Sequence, residues 1–199
     1  MKIKAIITDV GGVLVRELNQ DSRVFWENKL HLTREQLITE VYRTGVAKLA
    51  TIGKADYETI WQAVQSKFSL TETEVKQMEQ DFHAGDQLNA KFYSFMHVVH
   101  KQYQTALLSN TWLNARQIYT EKYHLDAIVD EMIISAEEGI RKPNKKIFRI
   151  AMERLHVRPD ETIYIDDRAD NIKTAKALGM HTVQFAHTQD AIDRIQKLL

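Results

Sequence analysis

Short apolar runs rich in β-branched residues recur along the chain, each closed by polar or glycine-containing segments. The first, Ile3 to Thr8, is nearly continuous and runs into Asp9, Gly11 and Gly12, the pattern of a strand buried on both faces that ends in a tight loop. Similar runs follow at Thr105 to Leu108, Met132 to Ser135, Thr162 to Ile165 and His181 to Phe185, each succeeded by a helix-like stretch. Strand, loop and helix in repeated order predict right-handed βαβ crossovers. The expected fold is α/β: a doubly wound, mostly parallel, five-stranded Rossmann-like sheet with helices on both faces.

Between about Asp21 and Phe82 the period changes. No strand-like run occurs there, and apolar residues recur at helical spacing, as in Leu37, Val41 and Tyr42 or Ile60, Trp61 and Val64. Thr33 with Gln36, and Thr71 with Glu74, match the capping box of a helix start, while Gly45, Gly53 and Gly85 mark breaks. This predicts an inserted module of about four helices. The expected division is a core of residues 1–15 and 86–199 and a helical cap of residues 16–85.

Composition narrows the class. Of 199 residues, 44% are hydrophobic and 27% charged, which fits a soluble globular protein. Basic and acidic residues balance at 27 each, so no positive field favours nucleic acid or an anionic membrane, and any anion site must be local. The absence of cysteine excludes disulfides, thiolate metal sites and a cysteine nucleophile. No stretch approaches the ~20 apolar residues of a membrane span, and a cytoplasmic location is expected. The sequence leaves oligomeric state open.

In a doubly wound sheet, ligands bind beyond the carboxyl ends of the strands. Four such ends carry chemistry. At Asp9-Val10-Gly11-Gly12 a carboxylate precedes glycines that allow close backbone approach, a combination suited to nucleophilic attack on phosphorus or, more plainly, to capping a loop. At Ser109-Asn110-Thr111 a hydroxyl and the following backbone N–H are expected to hold phosphoryl oxygens at a helix N-terminus, although such residues often only cap helices. At Arg141-Lys142-Pro143-Asn144, Lys142 offers a compact cation, against the general tendency of lysines to lie on the surface. At Asp166-Asp167-Arg168-Ala169-Asp170, three carboxylates in five positions follow a buried-looking strand. Their hard oxygen donors suit Mg²⁺ better than a solvated acidic loop would explain them.

In this order, the four strand ends resemble the haloacid dehalogenase-like hydrolase superfamily over essentially the whole chain. Asp9 resembles its motif I nucleophile, Ser109 its motif II hydroxyl, Lys142 its motif III cation, and Asp166 with Asp167 its motif IV acids; the helical insertion is similar to its C1 cap. Ser109 to Asn114, Ile165-Asp166-Asp167 with Asn171, and Leu178-Gly179-Met180 look closest to the phosphatase domain of soluble epoxide hydrolases and to sugar-1-phosphate phosphatases.

The resemblance implies a Mg²⁺-dependent hydrolase of small phosphorylated metabolites, in which Asp9 attacks phosphorus to give an aspartyl-phosphate that water then cleaves. Catalysis then rests on Asp9 and Lys142. Phosphate is held by Gly11, Gly12, Ser109, Asn110 and Lys142, and the metal by Asp9, the Gly11 carbonyl, Asp166 and Asp167. One position departs from the pattern: Gly11 stands where most such phosphatases carry a second aspartate as general acid and base. Loss of that group typically lowers the rate ~10²- to 10⁴-fold. A leaving group of low pKa, a substitute side chain such as Glu17 or one from the cap, or conversion to a phosphate-ligand binder would each account for it. A 2-haloacid dehalogenase, with Arg43 binding a carboxylate, is the alternative enzyme. Trp26, Arg43, Lys48 and Trp61 are cap residues that could meet substrate, with the two tryptophans more at home in the cap interior.

Overall fold

The computed structural model describes residues 2–19 and 21–199. Strand β1 (Ala5–Thr8) leads through a turn into β2 (Val15–Glu17). Helices α1 (Asp21–Leu30), α2 (Arg34–Tyr42), α3 (Gly45–Ala50), α4 (Tyr57–Phe68) and α5 (Glu72–Ala84) follow, and β3 (Asp86–Leu88) then pairs antiparallel with β2. Next come α6 (Ala90–Val99), β4 (Gln104–Ser109), a helical turn α7 (Ala115–Gln117) that widens into a π-helix (Ile118–Lys122), a 3₁₀ turn (Leu125–Ile128) and β5 (Glu131–Ile134). The chain closes with α8 (Ser135–Glu138), α9 (Lys145–Arg154), a 3₁₀ turn (Pro159–Glu161), β6 (Thr162–Asp166), α10 (Ala169–Ala177), β7 (His181–Gln184) and α11 (Thr188–Gln196).

The five strands lie in the order β5-β4-β1-β6-β7, every neighbouring pair parallel. Side chains alternate across the sheet as the pleat requires. Ile6, Leu107, Ile163 and Ile165 enter the apolar layer beneath α6 and α11, while Ala5, Ile7, Ala106, Leu108 and Tyr164 enter the layer formed with Ile147, Phe148, Ala151 and Met152 of α9. Because both faces are covered, the central strands β1, β4 and β6 are buried almost throughout, whereas edge strand β7 buries only Val183.

The cap helices enclose a core of their own, built from Trp26, Leu37, Val41, Ile60, Trp61, Val64, Met78 and Phe82. Both capping boxes form: Thr33 exchanges hydrogen bonds with Gln36, and Thr71 with Glu74. Two details differ from the sequence reading. Five helices lie in this stretch rather than about four, because six-residue α3 is too short to show a period and is set off from α2 only by Arg43 and Thr44. The β2–β3 ribbon was also not expected, since three-residue strands lack a readable alternation.

Cap and core touch at a specific seam. Trp112, from the loop after β4, stacks on Tyr42 with centroids 5.8 Å apart and lies 4.9 Å from the Tyr57 ring. Arg141 donates to Thr51 Oγ1 at 2.9 Å. Gly53, at φ +68°, lies so close to the Ala136 carbonyl that a Cβ would sit 2.5 Å from its oxygen. Among the described residues no helix is long and apolar enough to cross a membrane.

Candidate active site

The sheet register brings the acidic residues together. Thr8 pairs with Ile165, so the next residues, Asp9 and Asp166, leave adjacent strands side by side, and Asp9 N donates to Ile165 O at 2.8 Å. Lys142 lies between them, its Nζ 3.0 Å from Asp9 Oδ2 and 2.8 Å from Asp166 Oδ2. Its side chain is 1% exposed, so this ammonium is an interior charge rather than a surface one.

Asp166 is saturated. Its Oδ1 accepts from Arg168 N at 2.8 Å and Asn171 Nδ2 at 3.0 Å, and its Oδ2 accepts from Lys142, from Asn171 Nδ2 at 2.9 Å and from the Tyr164 hydroxyl. Such a carboxylate orients its neighbours more readily than it takes a new ligand. Asp167 differs: it is more exposed and has no ion-pair partner among the described residues. Its Oδ2 lies against Gly12, where φ is +79° and a Cβ would come within 2.6 Å of that oxygen, so glycine is what lets the loop fit beside the carboxylate.

One donor oxygen from each of Asp9, Asp166 and Asp167 can lie within 4.8 Å of the others. Three carboxylates face one ammonium, because the nearby Arg168 is paired with Asp170 at 2.9 Å. The excess negative charge and the all-oxygen donor set fit a hard divalent cation. The electrostatics say the same. Burial drives the Asp9 carboxyl up to about 8, with repulsion from Asp166 and Asp167 adding to it and Lys142 opposing. Asp166 is also penalised by burial, but Lys142, Tyr164 and Arg168 N hold it below its usual range. Burial works against the Lys142 ammonium, yet the two carboxylates outweigh it and raise its pKa. Asp167 is raised by burial and by Asp166. Lys142 and Asp166 therefore form the charged pair, and Asp9 keeps a proton near neutrality unless further positive charge arrives.

The other expected residues are placed as follows. Ser109, 3% exposed, ends β4, its Oγ 2.9 Å from the Tyr119 hydroxyl. Asn110 straps the Lys142 backbone, donating to its carbonyl at 2.9 Å and accepting from its N–H at 2.8 Å. Ser109 and Asn110 do not stand at a helix N-terminus as expected, because residues 110–114 run irregularly and the helical turn begins only at Ala115. The loop is held instead by Ser135, whose Oγ accepts from Thr111 N at 2.9 Å and donates to Thr111 O at 3.1 Å.

Gly11 is exposed, with open space where a Cβ would stand. The Glu17 carboxylate is ion-paired to Arg23 at 2.8 Å in the ribbon below the cap. Trp26 and Trp61 are buried in the cap core, Arg43 pairs with Glu35 on the surface at 3.5 Å, and Lys48 is exposed. Tyr119 and Ser135 escaped the sequence reading because their partners lie 10 and 24 residues away, and Tyr164 because its place in a buried apolar strand reads as core although its hydroxyl reaches Asp166 on the same face.

The raised Asp9 has a consequence for stability. Between its ordinary 3.8 and about 8, the unfolded chain has released this proton while the folded protein keeps it. The folded state binds more protons, so stability falls as pH rises through this window, and the loss is complete above it. Asp9→Asn removes the effect. In chelator-treated protein, calorimetry is expected to show the variant melting above the parent at about pH 8.5, with a smaller gap at about pH 5. A gap independent of pH, or largest in acid, would contradict a burial-raised Asp9.

Known proteins share both sequence and fold with this chain. Residues 3–179 match the haloacid dehalogenase-like hydrolase family. D-ribitol-5-phosphate phosphatase of Bacteroides thetaiotaomicron is 28% identical over 92% of this chain and 91% of its own. Mouse acyl-CoA dehydrogenase family member 10 is 28% identical over 98% of this chain, which spans only 19% of that protein. In fold, a HAD-family enzyme of B. thetaiotaomicron in complex with magnesium and inorganic phosphate has a TM-score of 0.75 at 20% identity, covering 92% of this chain and 94% of its own. L-2-haloacid dehalogenase of Xanthobacter autotrophicus has a TM-score of 0.67 at 21% identity, covering 96% and 81%. With a family match across nearly all of its length, and a parallel sheet that gathers Asp9, Lys142, Asp166 and Asp167 at its carboxyl edge, this chain belongs to the haloacid dehalogenase-like hydrolase family.

Proposed function

We propose that this protein is a Mg²⁺-dependent phosphomonoesterase acting on small phosphorylated metabolites, with sugar phosphates the favoured class. The observation that carries the reading is the excess of carboxylate over cation around Asp9: three acids, one buried ammonium, and a strand-end hydroxyl nearby. The sugar phosphate class rests on the D-ribitol-5-phosphate phosphatase, which this chain matches over most of both lengths.

The metal would be held by Asp9, Asp167 and the Gly11 carbonyl, with Asp166 fixing Lys142 and so orienting the set. When bound, magnesium supplies positive charge that lets a phosphate dianion and the Asp9 carboxylate meet. Asp9 then attacks phosphorus in line, the bond to the leaving oxygen breaks, and the leaving group takes its proton from solvent. Ser109, the Asn110 N–H group and Lys142 hold the phosphoryl oxygens, while the Gly12 N–H is spent on the Val15 carbonyl at 2.9 Å and holds the loop. Water attacks the aspartyl-phosphate, releasing phosphate and restoring Asp9.

Gly11 puts no proton donor beside the leaving oxygen, and Glu17 is tied to Arg23. Turnover should therefore depend steeply on leaving-group pKa. On a phosphomonoester panel with Mg²⁺, aryl and anomeric phosphates are expected to react faster than alkyl phosphates, and Asp9→Asn should abolish measurable turnover. Equal rates for parent and Asp9→Asn would overturn the nucleophile, and an inactive parent across the panel would overturn the enzyme. The open space at Gly11 makes a direct gain-of-function test possible. Gly11→Asp is expected to speed alkyl phosphates by up to ~10²- to 10⁴-fold and aryl phosphates far less. A uniform change, or none, would show that Gly11 does not limit proton transfer.

A further inference from the structure

The Ser109 hydroxyl has one side-chain partner among the described residues, and it is another hydroxyl. Tyr119 OH lies 2.9 Å from Ser109 Oγ, both residues are buried, and the phenol's other polar side-chain neighbour is Thr111. A pair of hydroxyls holds two protons, of which only one can lie in the bond between them. The oxygen that accepts is therefore left with a proton to give elsewhere.

Position decides which one that is. Ser109 ends β4, two residues past Leu107, which pairs with Thr8, so it stands at the level of Val10 beside the Asp9 crevice. Tyr119 belongs to the apolar layer on the α6 and α11 side of the sheet. Burial drives its phenol up to about 12, so it stays protonated. The phenol could also turn toward the Thr111 side chain, but a phosphoryl group in the crevice offers only acceptors, so it takes the single serine proton and leaves Ser109 Oγ to accept from Tyr119.

The backbone is shaped for this contact. Tyr119 lies in the π-helical turn Ile118–Lys122, a wider turn than the α7 segment before it. Such turns are rare and frequently accompany functional sites.

We infer that Tyr119 is a positioning residue: its phenol donates to Ser109 Oγ and so fixes the serine proton toward the phosphoryl group in the Asp9 crevice. The inference rests on the phosphatase reading for the identity of the bound group. A preorganised donor loses no reorientation when charge develops on the phosphoryl oxygens, so the contribution appears in kcat more than in KM.

The test is a double-mutant cycle on the full chain, with p-nitrophenyl phosphate and Mg²⁺. Ser109→Ala is expected to lower kcat/KM by ~10²-fold. Tyr119→Phe, which keeps the ring in its apolar layer, should lower it by about 3- to 10-fold, mostly in kcat. The double variant should match Ser109→Ala within about twofold, because without the serine the phenol has nothing left to orient. Equal proportional losses from Tyr119→Phe with and without Ser109 would overturn the inference, as would no loss in the single variant; a packing role predicts the first.

If the parent hydrolyses no phosphomonoester, the phosphatase reading fails and the same four proteins are titrated with inorganic phosphate and Mg²⁺. Non-additive losses of phosphate affinity would then support the role of Tyr119 without turnover. Additive losses, or no phosphate binding by the parent, would overturn it.

Discussion

The structure turns on one buried ammonium. Lys142 Nζ touches Asp9 and Asp166 on two adjacent parallel strands whose register leaves their terminal carboxylates nowhere else to go. Two ionised carboxylates this close in the protein interior would repel strongly, so the ammonium holds Asp166 charged while burial pushes the Asp9 carboxyl up. The ammonium is itself an interior charge, so the protein surrounds it with further constraints. Asn110 clamps its backbone from both sides, and Tyr164, Asn171 and Arg168 N complete the coordination of Asp166. Removing Lys142 or Asp166, the two charged members, typically costs ~3–5 kcal/mol, because the partner left behind stays charged and dry.

The compensation is deliberately incomplete. One lysine serves three acids, and the two acids next to the glycine loop are those whose pKa values rise. A site that only needed stability would pair each acid with a base, as Arg168 and Asp170 do a few residues away. The shortfall of positive charge is what fits the crevice to a hard cation in the phosphatase proposed above. The cap also meets the loop that follows β4. Its contact with the core through Trp112 places an aromatic from the Ser109 loop among cap side chains, so cap position and the placement of this loop share one set of contacts.

Much of this was legible in the sequence, and the part that was not has a common cause. Buried parallel strands announce themselves as apolar runs, and the residues at their carboxyl ends must share one edge, so Asp9, Ser109 and Asp166 could be placed before any coordinates. Both capping boxes could be read because each closes within four residues. Asn110 shows the limit: its residue type and position were evident, but its bond to Lys142, 32 residues away, was not. Tyr119 lies in a π-helical turn that hydrophobic periodicity does not reveal, and α3 and the β2–β3 ribbon are shorter than any period that could betray them. The two cap tryptophans read as interior residues rather than substrate contacts from their size and apolarity, and both are buried in the cap core.

The charge shortfall is measured most directly by titrating the chelator-treated protein with Mg²⁺ near neutral pH, in buffers of different ionisation enthalpy. If Asp9 keeps its proton until a cation arrives, calorimetry will show close to one proton released per Mg²⁺ bound, falling toward none at about pH 9 and above, where Asp9 is already ionised. Binding without proton release near neutrality, or no binding at all, would contradict the account.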